Sequence, residues 1–237
     1  MKDKLKEELQ SFQGLWKDGT TLAREGWEKT NRCREFQDID GIYNHCIRPY
    51  VNPETTLLEI GANGGGWTIK MLNAKRIICF DALTPEHNGF YNRIPKRNSI
   101  EYYQVKDFEC NELEDNSIDY VFSYDVFCHI SYSGAKAYIK NLYPKLKKGA
   151  NCFIMIADIN KYHNKNGLER LLARSPYDNL QEFVNDYDGE PYNGRWYFYG
   201  IKRFCASLVK SGYSVVSEDV AVELDKLNPI IHFVKGE

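Results

Sequence analysis

Several absences narrow the reading of this chain before any motif is weighed. None of its seven cysteines stands in a C-x-x-C pair, the spacing on which most zinc and dithiol sites depend. Cys79 in RIICF and Cys152 in NCFIMI lie inside apolar runs, where cysteine packs as a small apolar side chain. A reducing cytoplasm suits that usage, and zinc is not expected. There is no cationic excess: 31 Lys and Arg against 33 Asp and Glu leave a formal net charge of -2. Long nucleic acid, whose binders carry a basic face, is therefore not an expected partner. No apolar run approaches the roughly 18 residues of a membrane span, so no membrane partner is expected, and the charged stretch MKDKLKEELQ reads as helix rather than signal peptide. Nothing in the sequence speaks to oligomeric state.

Two nucleotide-binding signatures are absent as well. The stretch TLLEIGANGGGW, residues 56–67, has the glycine density of a ligand loop. A dinucleotide fingerprint would need glycine at position 63, which is Asn63, and a P-loop would follow Gly66 with lysine, where Trp67 stands. Asparagine tolerates a left-handed backbone, so the tight turn survives without the phosphate signature. Glu59 just before the loop also disfavours phosphate and suits a ligand that carries an ammonium group.

What is present is an alternation of short apolar runs and connecting segments. Apolar residues make up 43% of the chain, enough for a folded core. Strands are predicted at TTLLEI, RIICFD, SIEYYQVKD, SIDYVFSYD, NCFIMIAD, SVVSED and PIIHFVK. Helices are predicted within GWTIKMLNA, over 133–146 and in GIKRFCASLVKSGY, with Gly149 as the stop of the second. This pattern predicts an α/β domain over 55–237 whose mostly parallel sheet carries helices on both faces. Residues 1–54 form a helical extension, with apolar spacing at Leu5, Leu9 and Phe12 and a second amphipathic stretch over 35–50. Residues 159–199 form an insert or lid over the acceptor pocket.

In such sheets the chemistry gathers at the carboxyl ends of the strands. The first strand ends at Glu59 and the glycine loop, the second at Asp81, the third at Asp107 and Phe108, and the fourth in SYDVFCHI. A carboxylate at Asp81 can accept both hydroxyls of a ribose. Asp107 can accept an exocyclic amine beside the face of Phe108. Taken alone, Asp81 also fits a helix cap and Asp107 a loop turn.

The ordered series LLEIGANGGG, CFDA, VKDF, SIDYVFSYDVFCHIS and LKKGANCFIMIAD resembles the class I S-adenosylmethionine-dependent methyltransferases, closely over residues 55–158. The resemblance implies a seven-stranded sheet with an antiparallel last strand, and S-adenosyl-L-methionine as cofactor. It implies that Glu59, Gly61, Ala62, Asn63 and Gly65 lie against the methionine moiety, Asp81 and Ala82 at the ribose, and Asp107 and Phe108 around the adenine. Tyr124 would complete the cofactor wall.

The Asn/Asp-Pro-Pro-aromatic motif of nucleobase amino methyltransferases is missing from Ser123–Val126. Cys128 lacks the Pro-Cys context of a covalent nucleophile and reads as packing. His129 is the candidate general base, with Asp125 four residues earlier to orient it; a loop brace and a helix cap are the plainer readings of the two. Asp158 and Asn160 could join Asp125 around a divalent metal, but the match is partial and no metal is expected. Asp158, Tyr192, Trp196 and Tyr197 are candidate acceptor contacts, since aromatic faces among carboxylates suit a sugar. The expected reaction is O-methylation of a small polar metabolite or a glycan. N-methylation of a small amine or protein side chain, and a cofactor-binding scaffold without turnover, stay open at this point.

Overall fold

The computed structural model describes Glu7, Glu8, Phe12 and residues 37–158, 160–161 and 197–236. A short helix α1 (Ile39–Ile42) runs into a π-helical turn (Tyr43–Ile47). The elements that follow are β1 (Thr56–Ile60), β2 (Arg76–Asp81), β3 (Ile100–Gln104), β4 (Ile118–Ser123), α2 (Tyr132–Leu142), β5 (Leu146–Met155), α3 (Gly200–Lys210), β6 (Tyr213–Ser217) and β7 (Ile230–Lys235). The sheet order is β3-β2-β1-β4-β5-β7-β6. All pairs from β3 to β5 are parallel, and β7 runs antiparallel to both β5 and β6.

Burial explains the sequence texture. β1, β2 and β4 sit mid-sheet, so their runs TLLEI, RIICFD and IDYVFS are buried on both faces rather than alternating. The edge strand β6 alternates buried and more exposed residues instead. Successive strand residues point to opposite faces. His232 stacks on Phe153 at 4.1 Å between ring centroids, near Tyr50, and the Tyr120 hydroxyl donates to the Cys46 carbonyl at 2.6 Å. Those contacts put the segment 43–51 on one face. Phe233, one residue on, meets Phe204 of α3 and Tyr213, whose hydroxyl donates to the Ile139 carbonyl of α2. The helices α2 and α3 therefore cover the other face.

Two local expectations are corrected. The glycine loop is followed by a single 3₁₀ turn, Thr68–Met71, not a full helix. Residues 61–75 must close the loop and return at once to β2, where Lys75 donates its amide to the Thr55 carbonyl. Helix α2 stops at Leu142 because Pro144 lacks an amide proton for the next turn. Gly149 is accordingly not a helix stop. It lies inside β5 with φ +74°, in the stretch that shifts register between the Ile118–Leu146 and Tyr120–Asn151 pairs.

Candidate active site

A cavity of about 210 Å³ opens at the carboxyl ends of β1, β2 and β4, where parallel sheets place their ligands. Its first wall is built from β1 and β2. The amides of Gly61 and Ala62 donate to the Phe80 carbonyl, at 2.6 and 3.3 Å, and tie the glycine loop to β2. Gly61 has φ +80°, and a Cβ there would lie 2.0 Å from Cγ2 of Val126. Glycine is required twice over, by the left-handed backbone and by the neighbour. Asn63 holds φ +47° at the tip of the loop, and its amide donates to Oδ2 of Asp81 at 2.8 Å. Oδ1 of Asp81 accepts the Leu83 amide at 2.9 Å. Burial raises the Asp81 carboxyl above the usual carboxylate range, and these two amides oppose the shift. The Asn88 side chain also bonds this carboxylate, which keeps acceptor capacity for one ligand hydroxyl beside these three donors.

Glu59, expected against the ligand, is not on the cavity wall. It is 2% exposed and accepts the Thr68 hydroxyl at 2.5 Å. Loss of solvent pushes its carboxyl up to about 8 despite that hydrogen bond. The wall residue is its neighbour Ile60, because side chains alternate along the strand. Gly65 also stands back from the cavity: a Cβ there would meet Ile94 at 2.4 Å, so its smallness serves packing.

The second wall belongs to the end of β4 and the turn after it. Tyr124 is packed edge-on against Trp67 at 5.3 Å, and its hydroxyl donates to Oδ2 of Asp225 at 2.5 Å. Asp225 is fully buried and also accepts the amides of Leu227 and Asn228. Burial raises its carboxyl, opposed first by the Tyr124 hydroxyl. Gln37, another wall residue, reaches the same carboxylate at 3.4 Å. Asp125 takes φ +61°, an uncommon backbone for a residue other than glycine. The polar atoms of Asp125, Cys128 and His129 lie within 4.8 Å of one another. Asp125 and His129 both line the cavity. The Cys128 thiol is buried, donates to Asp125, and is raised well above its ordinary value by burial and then by the Asp125 charge. A thiol so held is a poor nucleophile.

Several expected site residues stand elsewhere. The Asp107 carboxylate accepts the Glu109 amide, and Phe108, 2% exposed, packs on Tyr138 at 5.3 Å between centroids. Neither reaches the cavity, where Val105, Ile130 and Tyr138 form that end of the wall. Asp158 accepts the amides of Asn160 and Ile201 and caps the start of α3, so it does not converge on Asp125. Tyr197 braces the second wall from behind, its amide donating to the Cys128 carbonyl at 2.7 Å. Tyr192 and Trp196 lie outside the described residues. Ala62, Asn63, Asp81, Ala82, Tyr124, Asp125 and His129 line one cavity, beside the loop start Gly61.

The donor set suits a nucleoside that carries an amino acid: a sterically cleared loop, a carboxylate with spare acceptor capacity, and an aromatic and aliphatic far end. Residues 58–154, from β1 to β5, match a family model described as a methyltransferase domain. No curated protein matches the chain. Among solved structures it is similar to a 1,6-didemethyltoxoflavin-N1-methyltransferase of Burkholderia thailandensis, bound to 1,6-didemethyltoxoflavin and S-adenosylhomocysteine. That likeness has 13% identity and a TM-score of 0.62, covering 100% of this chain and 91% of that one. An S-adenosylmethionine-dependent methyltransferase of Aquifex aeolicus is 15% identical with a TM-score of 0.59, covering 91% and 99%. Another from Mesorhizobium loti is 13% identical with a TM-score of 0.58, covering 78% and 93%. At these identities the structures speak for the fold. The chain carries a methyltransferase domain over residues 58–154 on the fold of the S-adenosylmethionine-dependent methyltransferases, and S-adenosylmethionine is the cofactor that this domain and fold support.

Proposed function

We propose that this methyltransferase acts on a hydroxyl of a small polar molecule, a sugar or glycan unit above all, and that His129 takes the hydroxyl proton. The observation that carries the reading is the pairing of Asp125 and His129 on the cavity wall, with their polar atoms within 4.8 Å. Bound S-adenosylmethionine supplies a methyl group on a sulfonium, a leaving group that needs no proton. A hydroxyl is a weak nucleophile until its proton is removed, and an imidazole can accept that proton near neutral pH. As the acceptor oxygen gains the methyl carbon, its proton passes to the His129 ring, and the Asp125 carboxylate stabilises the imidazolium that forms. Trp67 and Tyr124, packed edge-on at the cavity wall, are the groups that would exclude water there. The near-balanced charge favours a small acceptor over nucleic acid. The aromatic and acidic composition of FVNDYDGEPYNGRWYFYG supports a sugar. The described cysteines are all free and buried, which agrees with action in the cytoplasm, and no helix among the described residues is long and apolar enough to cross a membrane.

The test is turnover of His129→Gln against a panel of hydroxylated acceptors. The rate is expected to fall about 100-fold or more, with affinity for S-adenosylhomocysteine held within about twofold. A rate near that of the wild type would sink the assignment. The Burkholderia likeness favours a second reading, N-methylation of a small heterocycle. A neutral nitrogen needs no base, so on that reading His129→Gln keeps its turnover on amine acceptors.

A further inference from the structure

Beside the candidate base stands a thiol that methyl transfer does not use. The stretch D-x-x-C-H, residues 125–129, enters a 3₁₀ turn, Phe127–His129. The turn brings Asp125, Cys128 and His129 together, with one ligand atom of each within 4.8 Å of the others. The Tyr197 amide on the Cys128 carbonyl, at 2.7 Å, and the Tyr199 hydroxyl on the Phe127 carbonyl, at 2.9 Å, hold its backbone. Asp125 and His129 line the cavity, and Cys128 is buried.

The Cys128 sulfur stands 3.7 Å from Oδ1 of Asp125. On a tetrahedral zinc ion, bonds of about 2.3 Å to sulfur and about 2.1 Å to oxygen leave those two atoms about 3.6 Å apart. The pair already has the spacing of two ligands on one ion, and an imidazole nitrogen lies close to both. The thiol donates to the carboxylate, so an ion arriving at Asp125 takes the place of that proton and needs no separate path to the sulfur. Asp125 and Asp225 both set a negative field at the sulfur, which disfavours a bare thiolate and favours a cation beside it. A carboxylate and a thiolate with a neutral imidazole cancel a charge of +2. Sulfur and imidazole together suit zinc and its soft relatives, whereas magnesium and calcium prefer oxygen alone.

We propose that Asp125, Cys128 and His129 form a binding site for a thiophilic divalent cation, zinc above all, with its fourth position open to the cavity. On binding, the sulfur–hydrogen bond breaks, a sulfur–metal bond forms and the proton leaves to water; nothing is oxidised or reduced. The ion is not a cofactor of methyl transfer. A metal-bound imidazole has lost the basicity that takes the acceptor proton, so zinc inhibits turnover and its removal restores it. That consequence rests on the reading of His129 as the base; the site itself does not.

The experiment is titration of cobalt(II), a coloured stand-in for zinc, into the full chain under reducing conditions, followed by visible and near-ultraviolet absorption. The wild type is expected to show a thiolate-to-cobalt charge-transfer band that saturates at one ion per chain. Zinc should abolish the band, and excess magnesium should leave it. Cys128→Ser should lose it, whereas Cys205→Ser, which changes a thiol of α3, keeps it. Asp125→Asn and His129→Gln should each weaken cobalt binding about tenfold or more. Those two side chains line the cavity, so they carry the test even if Cys128→Ser does not fold. A wild type without the band, or a band that survives Cys128→Ser, overturns the site. Turnover on the hydroxylated acceptors, with zinc and again after chelation, separates the site from the reading beside it. Inhibition that follows the binding curve supports both. Zinc bound with turnover undiminished keeps the site and removes His129 as the base. No metal binding, with turnover lost in His129→Gln, removes the site alone.

Discussion

The two walls of the cavity are built by different means. On the β1–β2 wall the parts are close in sequence and hold one another through the backbone. Asn63 and Leu83 give amides to Asp81, and Gly61 and Ala62 give theirs to Phe80. On the β4 wall the side chains are held by distant segments. The Tyr124 hydroxyl reaches Asp225, 101 residues away, and the Ser131 hydroxyl at the start of α2 donates to Glu8, 123 residues away. A wall fixed by local backbone can keep one geometry for one cofactor. On the proposed function the wall assembled from remote chain segments is the one that can be changed piece by piece to suit an acceptor, and Tyr124 then serves that side rather than the cofactor wall.

The largest expected effect breaks the first wall at its tightest point. Gly61→Ala places a methyl 2.0 Å from Val126 on a backbone at φ +80°. The cost is on the order of 3 kcal/mol from overpacking and the left-handed strain together. Denaturant unfolding should show that loss, and calorimetry should detect no binding of S-adenosylhomocysteine. A variant that binds normally would mean the loop moves freely from Val126, against the local character argued for this wall.

A smaller effect separates the walls. Asp225→Asn replaces the fully buried oxygen that accepts the Tyr124 hydroxyl with an amino group, and leaves the other oxygen to the amides of Leu227 and Asn228. It should cost about 2 kcal/mol of stability and raise the KM for the acceptor, while cofactor affinity stays within about threefold. An equal loss on cofactor binding would show that the two walls are not independent.

The smallest effect concerns the acid beneath the loop. Glu59 has a folded value of about 8 against an ordinary 4.5. Between those values the folded chain keeps a proton that the unfolded chain releases, so this group makes stability fall as pH rises. Asp81 and Asp225, also raised, act in the same direction. Glu59→Gln should flatten the decline by on the order of 1 kcal/mol between about pH 6 and 7. Unfolding free energies that follow the wild-type slope would contradict the buried, protonated state of Glu59.

The same contrast explains what could be read in advance. Gly61, Asn63 and Asp81 were legible because their requirement is written within about twenty consecutive residues and concerns backbone shape. The order of strands was legible because buried parallel strands leave near-continuous apolar runs. The side that Glu59 takes is not legible, because a strand-end acid gives no hint of its face until the register with Cys79 and Phe122 is known. Phe108 was expected at the base and is instead covered by Tyr138, a residue whose four-residue spacing with Gly134 and Leu142 looked like ordinary core. Asp225 carried no signal, since nothing near it in sequence shows that it meets Tyr124. The early start of β5 was hidden by Leu146, which continues the helical spacing of α2 although Pro144 has already ended the helix.

The division between a cofactor wall and an acceptor wall is tested most directly by one calorimetric comparison: S-adenosylhomocysteine titrated into the wild type, Asp81→Asn and His129→Gln. The wild type should bind, Asp81→Asn should bind at least about tenfold more weakly, and His129→Gln should match the wild type within about twofold. Equal losses in the two variants, or a larger loss for His129→Gln, would contradict it.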